Sequence, residues 1–229
     1  MAEEHDCRLV EAEWTRRTQA EYTSAAIAHG VTLWLIQAGA PPDLIRDGLR
    51  VVDDELVHSE RSAEVSAAAG ARQATAPTVI DRATLVLPTA GDPLADLLAA
   101  IVRVFCVGET VAVPLFRMLR CHSTVPIART TLDRVLRDEV RHRQFGWDVL
   151  DWILLAYGEP AARHLAREAP AAIALVADAY VQSPADGPNA GLSPAAEAWG
   201  LAPIEEYAAT VMRAIEADVR PRFAARITG

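Results

Sequence analysis

Two short segments of the chain combine a carboxylate and an imidazole at the same spacing. Residues 54–58 read DELVH and residues 138–142 read DEVRH, so Glu55 precedes His58, and Glu139 precedes His142, by three positions. On an α-helix, residues at i and i+3 lie on one face, where both side chains can bind the same ion. One such pair is common on exposed helices. Two pairs on two helices are half of a dinuclear metal site, which needs one Glu from each of two more helices.

The composition predicts the helices that this arrangement requires. The chain of 229 residues is rich in Ala and Leu and has no run of alternating β-branched residues long enough for a sheet, so we predict an all-α fold. Gly and Pro at the segment 39–42 (GAPP), at Gly70 and at Gly158 are typical helix ends. We predict helices at about residues 9–38, 42–69, 93–121 and 126–157, and two further helices at about 161–182 and 204–228.

The connections between these helices predict a four-helix bundle made of two antiparallel hairpins. Residues 71–91 are irregular and partly extended at 79–87, which suits a long crossover between the hairpins. Residues 183–203 form a second loop, rich in Pro, Gly and Ser. We interpret residues 1–229 as one domain, in which residues 1–158 form the metal-binding bundle and residues 159–229 add the two C-terminal helices as a brace or lid.

The two missing carboxylates are predicted on the first and third helices. The third helix is almost wholly apolar, so Glu109 would be costly to bury in it without a metal or a strong partner. In an antiparallel hairpin, residues at one level lie equally far from the turn. At about 1.5 Å per residue, Glu55 lies about 20 Å into the second helix and Glu21 about 25 Å before the end of the first, against about 37 Å for Glu13. Glu109 and Glu139 lie about 18 and 21 Å from their own turn, so the levels coincide.

The predicted site therefore contains carboxylates and imidazoles that converge from four helices. This donor set suits iron or manganese better than zinc. The neighbours of Glu21 on its helix are small or polar (Thr18, Ala25 and Ala28), which leaves room beside the metals. The predicted metal ligands, which we also take as the catalytic residues, are Glu21, Glu55, His58, Glu109, Glu139 and His142.

Charge and cysteine content argue against several other classes of protein. The formal net charge of −9 disfavours nucleic acid and an anionic membrane surface as partners. The three cysteines are too widely spaced for a disulfide framework or a zinc pattern. The N-terminus lacks the features of a signal peptide, so we expect a cytoplasmic protein. The apolar helix faces are compatible with a homodimer.

The order of these ligands resembles that of the ferritin-like di-iron carboxylate superfamily, which includes rubrerythrin, ribonucleotide reductase small subunits and bacterial multicomponent monooxygenases. Segments 39–42 (GAPP), 106–110 (CVGET) and 138–147 are also similar to bacterial ferritin-like domain proteins, which mostly have no assigned function. The resemblance implies a ferritin-like four-helix bundle that binds two iron ions, with manganese able to replace one or both. It also implies that Asp54 orients His142 and that Asp138 orients His58.

The resemblance further implies that the metal pair oxidises a small organic substrate with O2, using electrons from an external donor. Val135 and Val113 depart from related oxygenases, in which a His and a Thr occupy these positions. Two alternatives stay open: a rubrerythrin-like peroxidase or ferroxidase without an organic substrate, and a non-catalytic helical interaction protein. An apolar pocket that reaches the metals would favour the oxygenase, and a site filled by side chains would favour the peroxidase.

Overall fold

The computed structural model describes residues 2–70, 91–181 and 192–227, and within these ranges the regular elements are all helices. The all-α prediction is confirmed for this part of the chain. The helices are α1 (Ala2–Gln37), α2 (Pro42–Ala68), α3 (Pro93–His122), α4 (Pro126–Tyr157), α5 (Glu159–Val181), α6 (Pro194–Glu197) and α7, which comprises Ile204–Ala214, Ile215–Val219 and Arg220–Ile227.

Some helix boundaries differ from the predicted ones. α1 begins at Ala2 rather than near residue 9. α5 begins at Glu159, directly after Gly158 ends α4 with a φ of 57°, because Pro160 is tolerated in the first turn of a helix. The helix α6 lies inside the predicted loop 183–203. The irregular connection up to residue 90, its extended segment 79–87 and the loop residues 183–191 lie outside the described residues.

A tight turn makes α1 and α2 an antiparallel hairpin. Gly39 adopts a φ of 74°, which glycine tolerates best, and its N–H donates to the Ile36 carbonyl at 3.1 Å. Along the hairpin, the Ser59 hydroxyl donates to the Thr18 carbonyl at 2.9 Å. Residues near the start of α1 therefore lie beside residues near the end of α2, as the level argument requires.

α3 and α4 form a second antiparallel hairpin, joined by a short turn at residues 123–125. Asp92 caps the start of α3, because its side chain accepts two backbone N–H hydrogen bonds at 3.0 and 3.4 Å. The Cys106 thiol donates to the Gly146 carbonyl at 3.4 Å, and nearer the turn the Arg120 guanidinium donates to Asp133 at 2.7 Å. The pairs 106/146 and 120/133 run in opposite directions along the two helices, which fixes the level of α3 against α4.

The two hairpins meet along α2 and α4, which are antiparallel as well. His58 on α2 contacts Asp138 on α4, and Asp54 contacts His142 four residues away in the opposite direction. Since α1 opposes α2, α2 opposes α4 and α4 opposes α3, the direction of α3 is opposite to that of α1. The carboxylates of all four helices can then reach one level.

A π-helical segment, Ile101–Glu109, interrupts the α-helical geometry of α3 and ends at the predicted ligand Glu109. Sequence analysis predicted a regular helix here. The segment faces a close approach between α3 and α4: a Cβ atom added at Gly146 would lie 2.5 Å from the Cβ of Phe105. Glycine is therefore required for this contact. Short π-helical segments are frequent at functional sites, since they change the direction in which the following side chains point.

α3 is also the described helix whose length and composition would suit a membrane span. In its most apolar stretch, however, 61% of the residues are buried inside the protein. Leu98, Ile101 and Val102 have no exposed surface. Such burial is typical of a core helix of a soluble protein, and it agrees with the almost wholly apolar sequence of this helix.

The C-terminal helices pack on the outside of α3 and α1. α5 contacts the π-helical segment of α3, and α7 contacts both α3 and α5. The Trp14 indole on α1 donates to the Trp199 carbonyl at 3.0 Å, and the Arg17 guanidinium donates to the Gly200 carbonyl at 2.8 Å. These contacts bring Tyr207 of α7 over one end of the groove between α1 and α3, where the candidate site opens.

Candidate metal centre

The structure brings the six predicted ligands together at the middle of the four long helices. α1 contributes one side chain, α2 two, α3 one and α4 two, and each is at most 9% exposed. Burial of so many ionisable groups in one place is costly unless they are paired or bind a cation. The side chains are Glu21, Glu55, His58, Glu109, Glu139 and His142.

These side chains form two overlapping groups, each able to hold a metal ion. Within each group, one ligand atom from every member lies within 4.8 Å of the others. Glu55 belongs to both groups, so its carboxylate lies between the two candidate positions. The first group is Glu21, Glu55, His58 and Glu139, and the second is Glu55, Glu109 and His142.

The Nδ1 atoms of both imidazoles face carboxylate oxygens across short gaps. Nδ1 of His58 lies 3.7 Å from Glu55, 3.8 Å from Glu139 and 3.9 Å from Glu21. Nδ1 of His142 lies 3.3 Å from Glu55 and 3.8 Å from Glu139. Among the described residues, neither Nδ1 atom has a hydrogen-bond partner, and neither has Oε2 of Glu55 or of Glu139. Buried polar atoms are rarely left unpaired, so these four fit a cation placed between them.

On their opposite edges the imidazoles are fully paired. Nε2 of His58 lies 3.2 Å from Oδ2 of Asp138, and Nε2 of His142 lies 3.3 Å from Oδ2 of Asp54. This cross-pairing between α2 and α4 is the one that the resemblance implied. An Nε2–H that donates to a carboxylate holds the ring in place and directs Nδ1 toward the centre.

Two arginines of α4 hold both aspartates from outside. Arg141 donates to Asp54 at 2.9 Å and to Asp138 at 2.7 Å, and Arg134 donates to Asp54 at 3.2 Å and also to Asp138. Burial raises the pKa of Asp138, but hydrogen bonds from His58 and Arg134 outweigh it and bring the pKa below its usual range. Sequence analysis assigned no role to Arg141 and did not identify Arg134. Its only sequence signal was its position, one helical turn before Asp138.

The carboxylates repel one another in the absence of a cation. Burial and the neighbouring Glu55 raise the pKa of Glu21 well above its usual range. Burial and the neighbouring Glu109 have the same effect on the pKa of Glu139. Both groups therefore retain protons at pH values where an exposed carboxyl is ionised. A divalent ion that binds here would displace those protons.

The imidazoles hold protons for a related reason. Burial disfavours a charged His142, but its contacts with Asp54 and Glu55 raise its pKa to about 10. Burial likewise disfavours an ionised Glu55, but His142 and His58 lower its pKa to about 2. The metal-free centre is thus a set of buried ion pairs and protonated acids in which protons occupy the places of cations.

A cavity of about 320 Å³ opens beside the centre, between α1 and α3. It reaches the carboxylates of all four helices, while its far end lies under α5 and α7. The cavity borders Glu21, where sequence analysis predicted room, but Thr18, Ala25 and Ala28 are buried in helix contacts and are absent from its described lining. The lining is Glu13, Arg16, Arg17, Ala20, Glu21, Ser24, Glu55, Val104, Gly108, Glu109, Ala112, Leu115, Phe116, Leu119, Glu139, Tyr180 and Tyr207.

Other residues that might have served the centre are explained by packing. Cys106 has no exposed surface, bonds to a backbone carbonyl and does not belong to the described lining of the cavity. Trp147 is 1% exposed and bonds to Thr110, so both belong to the core. His122 pairs with Glu206 on α7 at 3.1 Å, which ties the end of α3 to the C-terminal helix.

No family model, curated protein or solved structure matches this chain. The resemblance to di-iron proteins consequently depends on the side chains themselves. What supports it is the order of the ligands along the chain and the buried cluster that they form, which could hold a metal ion.

Proposed function

We propose that the protein is a ferritin-like four-helix bundle that binds two iron ions, with manganese able to replace either. The observation that carries the proposal is the set of unpaired buried atoms at the centre, two from Glu carboxylates and two from imidazoles. The antiparallel pairing of α1 with α2, of α2 with α4 and of α3 with α4 supports the bundle. Oxygen ligands with a minority of imidazoles suit iron or manganese.

In this proposal the two groups of ligands each hold one ion. Glu21 and His58 belong to one position, and Glu109 and His142 belong to the other. Glu55 is shared by both groups and would help to hold both ions. Glu139 belongs to the first group, and its Oε2 also lies 3.8 Å from Nδ1 of His142, so it is close to both positions.

We further propose that the metal centre oxidises a small organic substrate with O2. When bound, two ferrous ions supply electrons and open coordination positions for the reduction of O2. The protein's residues do the rest: Asp54 and Asp138 hold the imidazoles through Nε2, and apolar side chains of α3 form one wall of the cavity beside the centre. An external donor would replace the electrons that the ions supply.

The cavity favours this function over the two alternatives. A peroxidase or ferroxidase needs room only for peroxide or O2, whereas about 320 Å³ falls within the roughly 300–1,000 Å³ of small-molecule sites. A non-catalytic interaction protein gives no reason to gather four carboxylates in its core, because buried charge without compensation is destabilising. Both alternatives are outcomes of the experiments below.

The first experiment measures the metal content of protein purified from iron-supplemented cells. The wild type should contain about two ions per chain, as expected for a carboxylate-bridged pair in such bundles. Glu55→Gln, which removes the shared ligand, should lose both, and Glu109→Gln should retain the ion held by His58. Glu60→Gln, an exposed change on the same helix as Glu55, is the control and should bind metal normally. If the wild-type protein takes up neither iron nor manganese, the non-catalytic interaction protein is the alternative that remains.

The second experiment separates the oxygenase from the peroxidase. Iron-loaded, anaerobically reduced protein is mixed with O2 or with H2O2, and consumption of each oxidant is followed with and without small organic compounds. An oxygenase should consume O2 faster when a compound that fills the cavity is present, and should yield an oxidised product. Faster consumption of H2O2 than of O2, unaffected by every compound, would support the peroxidase instead.

A further inference from the structure

One buried cation in the cavity is not used by the metal centre. Arg17 lies on α1 one turn before the ligand Glu21, about 6 Å away along the helix axis. Its side chain is 6% exposed, and it belongs to the lining of the cavity. The guanidinium also stacks over the Trp14 ring, 4.5 Å from the ring centre. A guanidinium stays protonated in proteins, so a full positive charge is buried close to the metal ligands.

The hydrogen bonds of Arg17 are incomplete. Nε donates to Glu13 at 2.9 Å, and Nη2 donates to the Gly200 carbonyl at 2.8 Å and to the Tyr207 hydroxyl at 3.2 Å. Nη1 is buried and, in the described part of the chain, has no hydrogen-bond partner. An unpaired donor on a buried charge is costly, and an anion in the cavity would satisfy it.

The charges around Arg17 leave an excess of one positive charge at this end of the cavity. Glu13 is the acidic partner of Arg17, and it is shared with Arg16, which donates to both Glu13 oxygens at 2.8 Å. Two guanidinium groups therefore balance one carboxylate. The remaining acidic groups of the lining are the four carboxylates that we assign to the metal ions.

A second donor lies next to the free nitrogen. The Tyr207 hydroxyl lines the cavity and accepts a hydrogen bond from Arg17, so its own hydrogen can still be donated. Burial raises the pKa of Tyr207 to about 12, so the hydroxyl keeps this hydrogen at neutral pH. A guanidinium nitrogen and a hydroxyl side by side match the two oxygens of one carboxylate.

The opposite wall of the cavity is apolar and leads to the metals. It consists of one stripe of α3, which begins more than one turn before Glu109 and ends near α7. Because α3 is antiparallel to α1, this stripe runs past Glu21 and then past Arg17. Its side chains are Val104, Ala112, Leu115, Phe116 and Leu119.

We propose that the cavity binds a small organic acid, with its carboxylate held by Arg17 and Tyr207 and its apolar body along α3 toward the metal centre. This inference rests on the proposed function for the identity of the reaction, but the anion site itself does not depend on the metals. A volume of about 320 Å³ lies at the lower end of small-molecule sites, which limits the acid to a small one. A plain structural role for Arg17, as a clamp between α1 and the segment at Gly200, is the competing explanation.

The test compares octanoate with octanamide, which have the same length but differ in charge. Binding is measured by calorimetry on the full chain, both metal-free and loaded with Mn2+. The wild type should bind octanoate at least about 10-fold more tightly than octanamide, as expected for a charge-assisted hydrogen bond to a buried partner. Arg17→Gln should remove this preference. Arg220→Gln on α7 is the matched control, because its side chain is 53% exposed, pairs with Glu216 and does not belong to the described lining of the cavity, and it should keep the preference.

Each outcome decides the proposal. A preference for octanoate that survives in Arg17→Gln would mean that the metals or another group hold the carboxylate, and an equal affinity of the wild type for both compounds would mean that no anion site exists. Either result overturns the proposal. If Arg17→Gln does not fold, Arg17→Lys replaces it and should weaken octanoate binding without affecting octanamide. Because metal-free protein is also titrated, the anion site can be confirmed even if no metal binds, and metal content can be normal when the anion site fails.

Discussion

The two edges of each imidazole in the centre differ in how completely they are paired. On the outer edge, Nε2 of His58 and of His142 bonds to an aspartate, and both aspartates bond to Arg141. On the inner edge, Nδ1 lies 3.3 to 3.9 Å from carboxylate oxygens and, across the described residues, forms no hydrogen bond. The protein itself supplies the hydrogen-bond partners of the outer edge, whereas the atoms of the inner edge need a cation as their partner.

This contrast teaches how the centre is held before any ion binds. The outer edge joins α2 to α4 through groups that are charged at neutral pH, so it can position the rings in the metal-free protein. The inner edge gathers protonated acids and imidazoles that repel less than bare carboxylates would. Changes at the inner edge should therefore remove metal binding, and changes at the outer edge should weaken it.

The largest effect is expected when a metal ion binds between the Nδ1 atoms and the carboxylates of the inner edge. At a Mn2+ concentration 100 times its dissociation constant, the folded protein should gain about 2.7 kcal/mol of stability. Glu55→Gln lacks the shared ligand and should gain none, while Glu60→Gln should behave as the wild type. Urea unfolding with and without Mn2+ measures the difference. Equal stabilisation of Glu55→Gln would place the ion elsewhere in the protein.

A smaller effect is expected when one outer partner is neutralised. Asp138→Asn keeps the size of the side chain but removes the charge that raises the basicity of His58, so affinity for Mn2+ should fall by about 10–100-fold. Asp133→Asn, on the same helix but paired with Arg120 at the surface, should leave the affinity unchanged. Competition with a fluorescent chelator gives both values. An unchanged affinity of Asp138→Asn would show that the contact at Nε2 does not contribute to metal binding at Nδ1.

The pH dependence of stability should distinguish the metal-free protein from the metal-loaded one. Between pH 6 and 8, an unfolded imidazole loses its proton, whereas the pKa of His142, raised to about 10 by Asp54 and Glu55 despite burial, keeps this proton on the folded chain. The metal-free protein should therefore lose stability as pH rises, by up to about 1.4 kcal/mol per pH unit for this group, and the raised pKa values of Glu21 and Glu139 act in the same direction. Metal-loaded protein has already released these protons, so stabilisation by Mn2+ should be larger at pH 8 than at pH 6. Urea unfolding at both pH values tests this, and equal stabilisation would contradict it.

The smallest effect is expected at the outer arginines. Arg141 is 53% exposed and shares its task with Arg134, so Arg141→Gln should cost about 0–1 kcal/mol of stability, in the range of exposed ion pairs. Metal affinity should change by less than in Asp138→Asn. Replacing both arginines should have more than twice the single effect, because either one can still hold the aspartates. A double variant no weaker than the single one would show that the aspartates do not need them.

The levels of the ligand carboxylates could be predicted from the sequence because the helix rise is constant and the turns are visible. Gly39 and the short turn before α4 give two fixed origins, and counting from them brings Glu21 to Glu55 and Glu109 to Glu139. The same regularity allowed the four long helices to be predicted nearly to the residue at their C-terminal ends. Helix rise and turn residues are therefore sufficient to predict these helices and the levels of their carboxylates.

The features that escaped prediction depend on contacts between distant segments. Arg134 becomes important only when α2 brings Asp54 within 3.2 Å of it. Arg17 meets Gly200 and Tyr207, which lie more than 180 positions away in the chain. The π-helical segment lies where α4 approaches α3 at Gly146, and no local pattern in α3 marks this approach.

Gly146 also determines how far apart two of the ligand-bearing helices can stand. It lies one turn after His142 on α4 and touches Phe105, one turn before Glu109 on α3. Because this position has no side chain, the two helices that bear these ligands can pack in direct backbone contact. An added methyl group would widen the gap between Glu109 and His142 while leaving the chemistry of every ligand intact. The missing Cβ at Gly146 thus sets the distance between two side chains that could bind a metal ion.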